Sequence, residues 1–402
     1  MKQILFCLTA LMLASSVLLA KATKMSDVPP AQEFYVNLEP KECNKKCLLD
    51  LLKKGQFFSF LARFKSSGDE ELNAKYQAFL RGIFGTYDNS EPSFSPSSAN
   101  TKIAVLIPQK TIKSYSFIVS GALLAYSANT KSKIAIEFFI TQDESTIETA
   151  LENIQRAGIN YVIAAVTDNA LAAISNEKYN QMFFYIPTLH ANLANVKKQN
   201  ILYGGIDYES QIAALLSKVG GKIASISDGS RLGNLLNRQI AKLEPNAYFS
   251  VVEGKSIDLK GLLDKTSLND ASLFINTTLL KTSLISSQLK VNDINVKKIL
   301  CTQICYDPAL FSLTQASDRA NMLVAISFNE IDKDLLASAK MLGIDLRYDR
   351  VAYPVMFGIE YIIKTFIDTG AKSYFTESVQ NSQVSYKTHI LKGTKSTFVE
   401  IQ

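Results

Sequence analysis

The 402-residue sequence predicts an α/β fold in two lobes, with a small α-helical unit in front of it. Three observations carry this expectation. From Lys102 onward, short and almost wholly apolar segments alternate with longer segments of helical period. Strands that are apolar on both faces belong to a parallel sheet covered by helices on both sides. The alternation runs to about residue 206 and then starts again, which makes two such halves. Upstream, residues 40–84 show helical periodicity and a cluster of Phe.

Residues 1–22 read as an export signal. Met1-Lys2 is a short basic start, Ile4 to Leu19 is apolar, and Ala20-Lys21-Ala22 supplies the small-x-small cleavage pattern. Cleavage after Ala22 is expected, which takes the net charge from +6 to +4 by removing Lys2 and Lys21. Cys7 stands too early for a lipoprotein cysteine and leaves with this segment. The apolar run falls short of the roughly 20 residues a membrane-spanning helix needs, and no later run is long enough either.

Residues 23–85 form the helical unit. Cys47, Leu48, Leu51 and Leu52 share one helical face, Gly55 interrupts, and Phe57, Phe58, Phe60, Leu61 and Phe64 form an apolar group. Asp69 or Ser67 is placed to cap a third helix from Glu70 to Phe84, whose Leu72, Tyr76, Phe79, Leu80 and Phe84 face inward. Residues 86–101 hold five Ser, two Pro and two Asn without periodicity, so they read as a linker.

The domain of residues 102–402 follows. Strands are expected at Ile103–Ile107, Lys133–Ile140, Tyr161–Val166, Phe183–Ile186 and residues 200–206, with helices at Ser116–Ser127, Glu144–Ala157 and Asn169–Ser175. The second half places helices at Glu209–Val219, Leu232–Leu243, Leu259–Thr266 and up to about Lys290. Its strands are Lys222–Ser227, Tyr248–Val252, Leu273–Ile275, Lys298–Thr302 and Leu323–Ser327. A long apolar helix then spans Tyr353–Asp368. Gln383–Leu391 and Thr397–Ile401 alternate like antiparallel strands. The return toward the first half implies lobe 1 at about 102–206 and 330–383, and lobe 2 at about 207–329 and 384–402. A ligand cleft belongs between them, at the carboxyl ends of the strands.

Composition narrows the chemistry. With 43 Lys+Arg against 37 Asp+Glu, and apolar and charged shares of 47% and 20%, the chain is an ordinary globular one. Its mild charge gives no reason to expect nucleic acid, and its Lys clusters read as solvated faces. Two His argue against a multi-His metal site, and only His190 and His389 offer a histidine base. His389, in a terminal alternating segment, is expected to face solvent. No G-x-S-x-G, H-E-x-x-H, Walker A or G-x-G-x-x-G sequence occurs. Carboxylates such as Asp143-Glu144 and Asp332-Asp334 read as helix starts. No catalytic residue, cofactor or metal is therefore assigned, and an enzyme is not expected.

Cys43, Cys47, Cys301 and Cys305 form two C-x-x-x-C pairs. Export makes disulfides the default. Four cysteines allow three connectivities, and the local pairs are expected because each is close in sequence and far from the other. A tetrathiolate zinc site is the competing arrangement. A Cys43–Cys47 bridge would strain a regular helix, which places Cys43 in or before the first turn.

Five stretches together resemble the type 1 periplasmic binding proteins: "KIAVLIPQ…FIVSGALLAY", "RAGINYVIAAVTDNALAAI", "FFYIPTLHAN", "ILYGGIDYESQIAALLSKVGGKIASISDGSRLGNLLNRQIAKL" and "YDRVAYPVMFGIEYIIKTF". They are similar to the branched-chain amino-acid receptors and to the related lobed domain of penicillin-binding-protein activators, over residues 102–402. The resemblance implies a two-lobed periplasmic-binding-protein-like (type 1) α/β domain. It also implies cleft positions. The receptors hold the amino-acid zwitterion with small hydroxyl residues after the third and fourth strands, where this chain has Thr167-Asp168-Asn169 and Thr188-Leu189-His190. In the loop "SDGSRLG", Arg231 is a further cleft candidate, and Leu232 after it stands where receptors carry an aromatic residue. Asn276, Thr277 or Thr278 replaces another, and Gln303 falls near the acidic residue that holds the ammonium group. Ligand candidates are thus Thr167, Asp168, Asn169, Thr188, His190, Arg231, Thr277 and Gln303.

These departures favour an exported periplasmic protein without catalysis. Its binding-protein fold would serve an envelope protein partner, its small-molecule site having degenerated. The alternative is a solute receptor for an amino acid or similar small molecule.

Overall fold

The computed structural model describes residues 43–65, 69–84, 101–254 and 264–401. The expected signal segment, residues 23–42, linker residues 86–100 and most of the expected helix Leu259–Thr266 lie outside the described residues. The chain divides into two compact units, Met1–Ser95 and Pro96–Gln402.

The first unit contains helices α1 (Lys45–Lys53), α2 (Phe57–Arg63) and α3 (Glu70–Phe84). Asn44 caps α1 by accepting the Cys47 N–H, and Asp69 caps α3 by accepting the Leu72 N–H. Such caps satisfy amides that the helix itself leaves open. The Cys43–Cys47 bridge therefore starts one residue ahead of the cap, outside the regular helix. Leu48, Phe60 and Leu72 form the core, with Phe64 stacked on Tyr76 at 4.4 Å between ring centroids.

The second unit has two seven-stranded sheets. The first contains β1 (Thr101–Pro108), β2 (Ile134–Thr141), β3 (Tyr161–Ala164), β4 (Phe183–Ile186) and β5 (Ile201–Tyr203). The second contains β6 (Ile223–Ser227), β7 (Tyr248–Val251), β8 (Ser272–Asn276), β9 (Lys298–Cys301) and β10 (Met322–Ile326). These ten strands are paired in parallel within each sheet. The chain then returns to the first sheet with β11 (Ser378–Gln380) and β12 (Gln383–Ser385). It ends in the second sheet with β13 (His389–Gly393) and β14 (Phe398–Glu400). Three chain crossings thus join the lobes.

The apolar runs are explained by burial on both faces. On β1, Ile103, Val105 and Ile107 point into one core cluster, while Ala104 and Leu106 point into another. The first cluster is continuous across the lobes. It runs from α4 (Tyr115–Ser127) to α6 (Tyr208–Leu216) and includes Ile212, Leu323, Phe328 and Tyr353. The helices α5 (Ile147–Arg156), α7 (Arg231–Leu243), α8 (Leu279–Val291), α9 (Lys333–Met341) and α10 (Ala352–Ile362) complete the layers.

Several expectations are corrected in detail. Thr101, taken as the last linker residue, already pairs with Ile134 in β1. The helix expected over Tyr353–Asp368 gives way at Ile363–Ile367 to a wider π turn, which brings Phe366 against Tyr161 and Phe183. Gln383–Leu391 is not one strand. The Tyr386 hydroxyl donates to the Gly204 carbonyl, and the chain passes there from the first sheet to the second. The strand β11 carries no apolar alternation. It is set by a two-residue turn in which Asn381 and Ser382 both take positive φ, the backbone twist that suits a tight hairpin.

Candidate functional site

The two lobes enclose a cleft of about 640 Å³. One wall comes from the segments after the carboxyl ends of β1, β3 and β4, with Ile112 and Tyr115, Val166–Asp168, and Pro187–His190. The facing wall is the exposed stripe of α7, and the floor includes Gly205, Ile206, Tyr208, Arg350 and Val351. Strand ends of a parallel sheet leave loops free of ladder pairing, so they are natural places for binding groups. Ser230 caps α7 by accepting the Gly233 N–H, which fixes the helix start against the cleft.

The structure brings together five of the sequence candidates. Thr167, Asp168, Thr188, His190 and Arg231 all line the cleft. Asn169 is exposed and outside it. Thr277 and Gln303 are buried in lobe 2 rather than open to the cleft. Thr277 shares a hydrogen bond with the Thr282 hydroxyl at 2.9 Å. Gln303 is locked to Gln211, whose side-chain amide donates to Gln303 Oε1 at 3.1 Å and whose Oε1 accepts the Gln303 N–H at 2.9 Å. A residue after a strand faces the cleft only if its loop turns outward. At Gln303 the chain instead forms a tight turn, Gln303–Cys305, bridged back to β9 by Cys301–Cys305.

The two hydroxyls suited to an amino acid are already occupied. Thr167 donates through Oγ1 to Glu144 Oε2 at 2.6 Å, and its N–H donates to Glu144 Oε1 at 2.5 Å. The Thr188 hydroxyl donates to the Val166 carbonyl. Within lobe 1, then, Thr167 ties the end of β3 to the segment after β2, and Thr188 ties the ends of β4 and β3.

Charge dominates the remaining surface. Asp168 of lobe 1 and Arg231 of lobe 2 form an ion pair across the mouth, both of them about half exposed. Arg238 and Lys242 continue the α7 stripe about two and three turns further on, and Lys242 approaches Glu209 at 4.0 Å. Arg350 lies on the floor, its guanidinium over the Tyr115 ring and hydrogen-bonded to the Tyr115 hydroxyl. His190 is buried. Its Nδ1 accepts the Asn192 N–H at 3.2 Å, which leaves Nε2 as the protonated nitrogen, 3.8 Å from Asp207. Burial pulls its pKa below the ordinary value, against an opposing pull from Asp207 and Glu209.

Two glycines let the floor close. A Cβ on Gly205 would sit 2.3 Å from the Leu189 carbonyl carbon, and one on Gly204 would strike the Tyr185 hydroxyl at 1.8 Å. Gln383 ties this segment to lobe 1: it donates to the Gly205 carbonyl at 3.1 Å and accepts the Ala191 N–H at 2.8 Å.

Sequence reasoning missed Arg238, Gln239 and Arg350. The spacing Arg231, Leu235, Arg238, Lys242 was the available signal, since steps of four, three and four place them on one helical face. Nothing local marks Arg350, which reaches the cleft only through the second crossing. His389 also differs from expectation. It is half-buried, with Nδ1 2.7 Å from Glu400 Oε1 and Nε2 3.3 Å from Asn329 Oδ1. The four cysteines of the described residues form the two local bridges Cys43–Cys47 and Cys301–Cys305, so no thiolate set remains for zinc. Among the described residues, no cluster of three or more His, Cys, Asp or Glu is placed to hold a metal, and no helix is long and apolar enough to cross a membrane.

No family model matches the chain, and no curated protein matches it. Solved structures do. Full-length LpoA from Haemophilus influenzae aligns with a TM-score of 0.55 at 13% identity, over 89% of this chain and 75% of that one. The C-domain of the same protein, described as a regulator of PBP1A, aligns at 0.50 and 13% identity over 75% of this chain and all of its own. LivJ from Streptococcus pneumoniae, a branched-chain amino-acid transporter substrate-binding protein in complex with isoleucine, aligns at 0.53 and 11% identity over 75% of this chain and all of its own. Two parallel-stranded lobes, three crossings and these neighbours define the architecture: the chain has the type 1 periplasmic-binding-protein-like fold, preceded by α-helices.

Proposed function

We propose that this is an exported, non-catalytic protein of the cell envelope that works by binding a partner protein, a role of the kind described for LpoA. The observation that carries this reading is the extent of the likeness. Residues 101–402 make up three quarters of the chain. A match over 75% accounts for the lobed domain alone, whereas the 89% shared with full-length LpoA reaches into the helical unit as well. The receptor LivJ, aligned over all of its own length, accounts for no more than the lobed domain's share of the chain. The occupied Thr167 and Thr188 hydroxyls support the same conclusion, because a buried zwitterion needs hydrogen-bonded partners for both its charges. The proposed location is the periplasm, reached by cleavage after Ala22, and the proposed boundaries are those read from the sequence.

The test is crosslinking in the native envelope through a photoreactive residue at positions on α1 and α3. Capture of one defined envelope enzyme of the penicillin-binding class, lost on deletion of residues 43–84, is the expected result. Terminal sequencing of the exported chain should begin at Thr23. A second reading, a receptor for a small solute, is favoured by the open cleft of about 640 Å³. A saturable stabilisation by a zwitterionic amino acid, without any protein crosslink, would support that reading and overturn the first.

A further inference from the structure

We propose that the cleft takes a small organic anion, an apolar body bearing one carboxylate or phosphate, anchored on Arg350. The proposal does not depend on the partner-binding reading, since the cleft and the helical unit are separate features of the chain.

The first support is an unfulfilled guanidinium. Arg350 sits partly buried on the cleft floor. Of its five N–H donors, one reaches a hydrogen-bond acceptor among the described residues, the Tyr115 hydroxyl. No carboxylate forms an ion pair with it there. The adjacent acid, Asp349, caps the following turn instead, its Oδ1 accepting the Val351 and Ala352 N–H groups at 2.8 and 2.9 Å. A guanidinium withdrawn from water and aimed into a cavity is a strong site for a planar oxyanion, which it can hold through two parallel hydrogen bonds.

The second support is an orphaned acceptor. Gln239, only 3% exposed, lines the same cleft, and its Oε1 has no hydrogen-bond partner among the described residues. Burying an acceptor unpaired is costly. An N–H or O–H on a bound molecule would relieve it.

The third support is the rest of the lining. Leu189, Leu232, Leu235 and Val351 supply an apolar surface between these polar groups. Arg238 adds a second cation at the outer rim that makes no ion pair among the described residues. Opposing charges are few and engaged: Asp168 is paired with Arg231, and Glu209 faces Lys242. The volume suits a compact molecule.

The experiment measures the melting temperature of the purified, disulfide-bonded chain at constant ionic strength against four probes: hexanoate, hexyl phosphate, hexanamide and isoleucine. A saturable rise with hexanoate or hexyl phosphate, and none with hexanamide or isoleucine, is expected. The stronger of the two anions identifies carboxylate or phosphate as the natural group. Arg350→Gln should weaken the binding at least about tenfold, the range set by one charge-assisted hydrogen bond. Arg238→Gln, at an exposed position that folding does not need, should weaken it by a smaller factor. It keeps the test decisive if Arg350→Gln fails to fold. Absence of any anion effect, an equal effect of hexanamide, or anion binding unchanged in both variants would overturn the proposal. Partner crosslinking uses none of these probes, so failure of one proposal leaves the other standing.

Discussion

His190 shows how a single side chain couples the cleft to pH. The residue is 7% exposed, and burial lowers its pKa from the ordinary 6.5, with Asp207 and Glu209 only partly offsetting this. In the unfolded chain the ring takes up a proton as pH falls through 6.5, while the folded chain resists. The unfolded state therefore binds more protons in that window, and stability rises with pH across it. The contribution is fully present above about pH 6.5 and is lost as pH falls toward the folded value. Urea melts at several pH values, compared between the wild type and His190→Gln, should show the wild type losing stability below pH 6.5 relative to the variant. Parallel curves would refute this. The threonines teach a related lesson at the same scale. The resemblance to amino-acid receptors marked Thr167 and Thr188 as ligand groups by position, yet Glu144 and the Val166 carbonyl claim both hydroxyls. Availability of a hydroxyl depends on what the fold places beside it.

Among the elements, legibility followed burial pattern. The strand Phe183–Ile186 was readable to the residue as a short unbroken apolar run ended by Pro187, and the helix Glu70–Phe84 because its apolar residues repeat at helical period. The hairpin strand β11 was not, since its residues are largely exposed and only the Asn381-Ser382 backbone defines it. The loop after β9 was misplaced for another reason. Reading Gln303 into the cleft assumed an outward loop, whereas the Cys301–Cys305 bridge holds that turn in the lobe 2 core, with both cysteines fully buried. The bridge closes a loop of five residues, for which the chain-entropy relation gives about 2 kcal/mol. The double variant Cys301→Ala/Cys305→Ala should lose about that much stability in denaturant melts and keep the anion response of the cleft. A loss of the response without a loss of stability would show that the turn shapes the cleft after all.

At the scale of the whole second unit, the two lobes are joined by three crossings that hold one another. Tyr386 and Gln383 grip the Gly204-Gly205 carbonyls of the first crossing, while Asn329 of the second donates to Glu377 at 2.9 Å and meets His389 just beyond the third. The apolar cluster continuous across the lobes reinforces this hinge. Opposite it, across the cleft mouth, Asp168–Arg231 joins the lobes as an ion pair open to water. Pairs of this kind contribute below about 1 kcal/mol, because solvent screens them and two long side chains must be ordered. The mouth is therefore held closed weakly while the hinge is held firmly, and closure should be adjustable without unfolding. The double variant Asp168→Asn/Arg231→Gln is expected to melt within about 1 kcal/mol of the wild type. It should still shift the chain toward open forms, seen as longer distances between spin labels placed on Asn192 and Asn234. Raised salt should shift the wild type in the same direction and the variant much less, since screening acts on the pair that the variant lacks. Unchanged label distances in the variant would show that the buried cluster alone sets the closure, with the ion pair a passenger on it.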